Sequence, residues 1–129
     1  MTLLVACAFG VASLEIETGE LELIEGELPS RLELSLSLPL LVAADRVGAR
    51  VVALVDARPP LLVSDDAGTT WRESGAGLPR GVAVAIDENA PDRVAFATGE
   101  RLYLSHDGAV FWHALPIELP QITGIAWTT

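Results

Sequence analysis

Apolar and polar residues alternate with a period of two along most of this chain. Ala12, Leu14 and Ile16 oppose Ser13, Glu15 and Glu17, and residues 20–25 set Leu21 and Leu23 against Glu20, Glu22 and Glu25. Residues 31–38 (Arg-Leu-Glu-Leu-Ser-Leu-Ser-Leu) are the cleanest such run, and Pro39 stops it. Alternation of this kind turns one face of a strand to a core and the other to water. Residues 3–8 and 51–55 are apolar throughout, and the second run reads as a strand buried on both faces. Further strands are expected at 81–86, 93–98, 102–104 and 122–127, with a hairpin over 61–71, while 40–49 is the least regular stretch. No segment carries a convincing amphipathic helical period.

One stretch organises the rest. Residues 61–71 read as a strand, a tight polar turn and the start of a second strand, with Ser64, Asp66, Gly68, Thr70 and Trp71 spelling S-x-D-x-G-x-T-W. A short acceptor such as Asp66 ties down backbone N–H groups a few residues on, and Gly68 supplies the positive φ of a hairpin turn. The indole of Trp71 is expected to cover that turn. The motif recurs 41 residues later, where Ser105, Asp107 and Trp112 are kept, Ala109 replaces Gly and Phe111 replaces Thr. Gly108 is expected to take over the turn there. Arg50-Val51 matches Arg93-Val94, and Gly77-Leu78-Pro79 matches Glu118-Leu119-Pro120. A worn third copy opens at Ser13 and ends at Glu27-Leu28-Pro29.

The motif resembles the Asp-box of the BNR (bacterial neuraminidase repeat) families, well over about residues 30–120 and weakly elsewhere. Sialidases and other glycoside hydrolases, sortilin-type receptors and a photosystem II assembly factor carry such boxes. The resemblance implies a box between the third and fourth strands of a β-propeller blade, on the face opposite the usual active site. Ser64, Asp66, Gly68, Thr70, Trp71, Ser105, Asp107 and Trp112 are then structural.

A repeat of about 40–45 residues built from short strands is itself the signature of four-stranded propeller blades. The expected fold is all-β, one domain over residues 1–129 with three blades of four antiparallel strands. These are 31–75, 80–115, and a blade combining 121–127 with 3–25. Three blades are too few for a ring, and an open arc is expected to expose apolar faces and a strand edge. The expected solution is a homodimer in which each chain gives residues 121–127 to its partner, making a six-bladed ring. The other readings are a fragment, or further blades from another protein.

Composition narrows the function. The formal charge is −10, with eight Arg and no Lys. That argues against nucleic acid or an anionic membrane as partner. A high-salt cytoplasm and a genome that favours Arg codons explain the balance equally well. Cys7 is the only cysteine, which excludes an intrachain disulfide, and it reads as a buried strand residue. No apolar run approaches a membrane span, so the expected location is cytoplasmic.

Sialidase chemistry needs an Arg triad, a Tyr nucleophile with a Glu partner, and an Asp acid. The only tyrosine, Tyr103, falls in an expected third strand. His106 and His113 read as surface residues, no Ser-His-Asp set or phosphate loop is present, and neither metal nor cofactor is expected. Catalysis by one chain is therefore not expected. The loops opposite the boxes hold Arg31, Arg80 and Gln121 after successive Leu-Pro pairs, with Arg58 and Arg101 nearby. Several Arg around a ring mouth suit a carboxylate or phosphate. The expected function is a non-catalytic binding or assembly module, for a small anion or a protein. The alternative is a sialidase-like glycoside hydrolase or carbohydrate-binding protein with its site assembled across the dimer.

Overall fold

The computed structural model describes residues 1–29 and 36–128. The strands are β1 (Thr2–Cys7), β2 (Gly10–Glu15), β3 (Leu21–Ile24), β4 (Leu41–Val47), β5 (Arg50–Val55), β6 (Leu61–Ser64), β7 (Arg72–Ser74), β8 (Ala83–Asp87), β9 (Ala90–Ala97), β10 (Arg101–Ser105), β11 (His113–Glu118) and β12 (Gly124–Thr128). No helix of the described residues is long and apolar enough to cross a membrane.

The strands form three antiparallel four-stranded sheets, ordered β12-β1-β2-β3, β4-β5-β6-β7 and β8-β9-β10-β11. Each is a meander of the kind that makes a propeller blade. β4 packs beside β8, and β8 beside β12, so the sheets stand in an arc with β8–β11 in the middle.

The middle sheet explains that order. β8 alternates Ala83, Val84, Ala85 and Ile86, and β9 alternates Val94, Ala95, Phe96 and Ala97, with all eight buried. Successive side chains point to opposite faces, so one face is small and the other large. The small face packs with Leu102 and Leu104 against Leu3, Val5, Leu14 and Ile125 of the first sheet. The large face packs against Val52, Leu54, Leu61 and Val63 of the second. Backbone contacts add to this. The Asp45 carboxylate of β4 accepts the Ile86 N–H at 2.7 Å, and the Trp127 indole of β12 donates to the Ala85 carbonyl at 3.0 Å.

Four expectations change. First, β4 is a strand inside the stretch that reads as least regular, because small residues and the buried Asp45 serve its contact with β8 in place of an apolar stripe. Second, residues 36–38 carry no strand, and the rest of the expected strand at 31–38 lies outside the described residues. Third, β12 pairs with β1 of its own chain, from Thr2 opposite Thr128 to Ala6 opposite Gly124, where a partner's strand was expected. Fourth, Val51, Ala53 and Val55 on the outer face of the second sheet are buried, as are Val11 and Ala126 on the outer face of the first. These five side chains are therefore out of solvent without a partner chain, although Ile24 beside Val11 stays 39 % exposed. Cys7, at the end of β1, is only half-buried.

Among the described glycines, Gly81 has the least room for a side chain. A Cβ there would stand 2.3 Å from Cε2 and 2.5 Å from Cζ of the buried Phe96 ring. Gly81→Ala is expected to lower unfolding stability by about 1–3 kcal/mol through overpacking. Urea denaturation measures this, and an unchanged midpoint would contradict the packing described.

Candidate functional site

The two motif hairpins lie at one end of the blades, joining β6 to β7 and β10 to β11. In the first, the Ser64 hydroxyl donates to Asp66 Oδ1 at 2.7 Å and accepts the Gly68 N–H at 2.8 Å. Asp66 Oδ1 also accepts the Thr70 N–H at 2.8 Å, while Oδ2 accepts the Thr70 hydroxyl at 2.5 Å. The second hairpin repeats this wiring. Ser105 donates to Asp107 Oδ1 at 2.8 Å and accepts the Ala109 N–H at 3.0 Å, and Asp107 accepts the Phe111 N–H at 3.0 Å. A Cβ on Gly68 would lie 3.6 Å from Trp71, so that indole does cover its turn.

Two details depart from the sequence reading. Gly108 does not take over the turn alone: Gly108 and Ala109 have φ of 75° and 69°, just as Ala67 and Gly68 have 60° and 95°. In the first sheet, strand register sets Leu14 opposite Leu21 as Val63 is opposite Arg72, so Glu15 and not Ser13 matches the motif serine. Glu15 accepts the Thr2 hydroxyl at 2.9 Å, the main cause of its lowered pKa, and also bonds the N-terminal ammonium at 3.2 Å.

The hairpins also join blades. Arg50 donates to Asp65 at 2.9 Å, and to Asp92 and the Pro91 carbonyl at 2.8 Å each. Burial works against its charge, but the hydrogen bonds to Asp92 and Asp65 prevail and its pKa is raised. Arg93, its repeat counterpart, pairs with Asp87 at 2.9 Å and lies 5.8 Å from the Trp127 ring. Trp112 meets Phe96 edge-on and donates to the Ser74 hydroxyl of the neighbouring sheet at 3.3 Å. The Ser74 hydroxyl in turn bonds the Ala109 carbonyl. Asp65 and Asp66 line a small hollow here, but both are engaged within the protein. His106 and His113 are exposed and stack on each other with centroids 5.4 Å apart. No group of three or more metal-ligating side chains converges among the described residues.

The opposite end holds the candidate ligand face. Loop 56–60, between β5 and β6, meets the link 75–80 that leads to the middle sheet. Arg58, Pro59, Pro60, Ala76, Leu78 and Pro79 line a cavity of about 530 Å³. A second hollow of about 130 Å³ shares Arg58, Pro60, Leu78 and Pro79 and adds Asp56 and Arg80. Arg58 and Arg80, far apart in sequence, are thus brought together. Arg80 is held by Asp56 at 3.1 Å. Arg58 has no ion pair or hydrogen bond among the described residues, unlike Arg46, Arg50, Arg72, Arg80, Arg93 and Arg101.

Arg101 and Gln121 belong to a different part of this face. The Leu119 and Ile122 N–H groups donate to the Glu100 and Gly99 carbonyls, which joins the loop before Arg101 to the link containing Gln121. Arg101 is taken up by Glu118. Arg31 lies outside the described residues. The prolines of loop 56–60 and link 75–80 were visible in the sequence as chain breakers, but nothing local marked them as walls of one cavity.

The Thr70 hydroxyl, then the Thr70 N–H and the Ser64 hydroxyl, hold Asp66 down to about 2 from 3.8. The Phe111 N–H is the first cause of a lowered value at Asp107. A depressed folded pKa stabilises the fold above the unfolded value and ceases to do so as pH falls through the folded one. Asp66→Asn is expected to lower the melting temperature at neutral pH, with the gap to the parent closing between pH 3.8 and about 2. Thermal melts across that window test it, and a constant gap would count against the charge of Asp66.

No protein-family model, curated protein or solved structure matches the chain, and the case for a function therefore rests on these geometries.

Proposed function

We propose that the chain is a non-catalytic binding or assembly module of the Asp-box propeller kind. Its ligand face is the end opposite the motif hairpins, and Arg58 is the group that takes a carboxylate or another small anion. The observation that carries this reading is an Arg without an acceptor on the wall of the 530 Å³ cavity. In a chain of net charge −10, acceptors are abundant, and six other Arg have found one. The prolines and Leu78 offer an apolar wall for the body of a ligand whose anionic end meets the guanidinium.

A glycoside hydrolase has less support. That chemistry needs two carboxylates about 5–10 Å apart. The two hollows at Arg58 offer only Asp56, which is already paired with Arg80.

Self-association to close a ring is the second part of the proposal. Rings use about four to eight blades, and two arcs of three related by a two-fold axis make six. Since β12 already completes its own blade, the contact would be made by the end sheets and not by strand exchange.

Two measurements test this. 3-Phenylpropionate titrated against labelled protein is expected to shift the amides of Asp56, Ala57, Arg58, Ala76, Leu78 and Arg80 saturably, in the millimolar range. Its uncharged amide analogue and the Arg58→Gln variant are expected to lose the effect. Equal response to acid and amide would refute the anion site. Separately, light scattering at low and high salt is expected to give the mass of a dimer, and a monomer throughout would remove the ring while leaving the anion site standing.

A further inference from the structure

The acidic groups are unevenly placed. Residues 1–29 contain six Glu and no basic side chain, while the described Arg all lie between 46 and 101. Asp56, Asp65, Asp87, Asp92 and Glu118 in the other two sheets each pair with an Arg, whereas Glu73 and Glu100 stand singly without an ion pair among the described residues. Glu17, Glu20, Glu22, Glu25 and Glu27, in and around β3, enter no ion pair among the described residues.

β3 is also the most open strand edge. It ends its sheet, paired only with β2, and its four residues are all exposed, with Leu21, Leu23 and Ile24 at 42 %, 60 % and 39 %. The other outer edges are blunted in ordinary ways: β7 has three residues, and β11 carries Pro116. β3 has neither device. The Glu15 N–H bonds the Glu20 carbonyl. Since bonded pairs alternate along an antiparallel ladder, Ser13–Glu22 and Val11–Ile24 continue that series. The backbone groups of Leu21 and Leu23 therefore point outward, with no strand paired to them among the described residues. Leu21 also shares a face with Leu14. Beside that face lies a hollow of about 280 Å³, walled by Leu14, Ile16, Leu115, Pro116 and Ile117 and rimmed by the turn Glu17-Thr18-Gly19.

We propose that the free edge of β3 receives an extended cationic segment of a partner protein as an added strand. Alternate aliphatic side chains of the segment would continue the row of Leu21 and Leu23 towards the hollow. Its Lys or Arg side chains would meet Glu20, Glu22 and Glu25. A second copy of this chain is the wrong occupant, because pairing β3 with itself sets two rows of Glu against each other. The inference is independent of Arg58, which lies on another sheet.

The probe is a short capped peptide alternating Lys and Val, followed by amide-resolved NMR. It is expected to shift the amides of Leu21, Leu23 and Glu25 saturably, and those of Leu115 and Ile117 along with them. Glu22→Gln with Glu25→Gln should weaken binding by about three- to tenfold, and added salt should weaken it further. Leu23→Ala should weaken binding, whereas Leu23→Pro, which also removes an outward N–H, should abolish it. A peptide N-methylated along its bonding edge should fail to bind the parent protein, which decides the matter if the proline variant does not fold. The proposal is overturned if the Lys peptide leaves β3 unshifted, or if a Glu-Val peptide binds as well. It is also overturned if the N-methylated peptide binds equally, or if β3 shifts with protein concentration alone, which would mean self-pairing.

Discussion

The arc depends on a middle sheet that is apolar on both faces. β8 and β9 place Ala83, Ala85, Ala95 and Ala97 on one side and Val84, Ile86, Val94 and Phe96 on the other. Small residues let the first sheet come close with Leu3, Leu14 and Ile125. The large face meets a sheet lined by Val52, Leu54 and Val63. Each sheet alone would leave a broad apolar face in water, so the blades stabilise one another and not themselves. The polar contacts work within that arrangement. Asp45 and Trp127 bond the backbone of β8 from its two neighbours, and this fixes the height of each sheet along the next.

The parts of the fold that were legible in the sequence are those with a local cause. Alternation revealed β2 and β3, and the continuous apolar run revealed β5. The S-x-D motif marked both hairpins because its bonds are all made within a few residues. β4 was not legible, since Asp45 has its reason in the N–H of Ile86, which is 41 residues away. Nor was the role of Glu15, which only strand register identifies as the counterpart of Ser64. The strand exchange expected of residues 121–127 had the right pairing and the wrong chain: nothing in a sequence distinguishes β12 meeting its own β1 from β12 meeting a partner's. At the candidate site, Arg58 and Arg80 were legible as loop cations beside chain breakers, one before Pro59-Pro60 and the other after Pro79. That one is held by Asp56 and the other is not became visible only with the fold.

The repeats also separate what holds the blades from what is available for binding. In the first hairpin the Ser64 hydroxyl donates once and accepts from Gly68, and both oxygens of Asp66 are taken by Ser64 and Thr70. A group so fully engaged has nothing to offer a ligand without opening its own turn. The same holds for Arg50, whose guanidinium is occupied in joining blades; Arg93, at the repeated position, pairs with Asp87 and lies over Trp127 but keeps its buried Nε without a partner among the described residues.

Features that do not repeat are under no such demand. The loop between the second and third strands is two residues in the first sheet, three in the middle sheet and five in the second. Only the longest carries Arg58-Pro59-Pro60 and walls a cavity. Likewise the first sheet gathers five Glu without an ion pair among the described residues in and around its outer strand, where β7 has the single Glu73. A blade needs neither a long loop nor an acidic edge to pack against its neighbour. Solvating five adjacent carboxylates beside three exposed aliphatic side chains adds no stability to the fold, and their mutual repulsion lowers it. These two departures from the repeat are the surfaces at which we propose that the chain meets other molecules, and both lie away from the hairpin motif that the blades share.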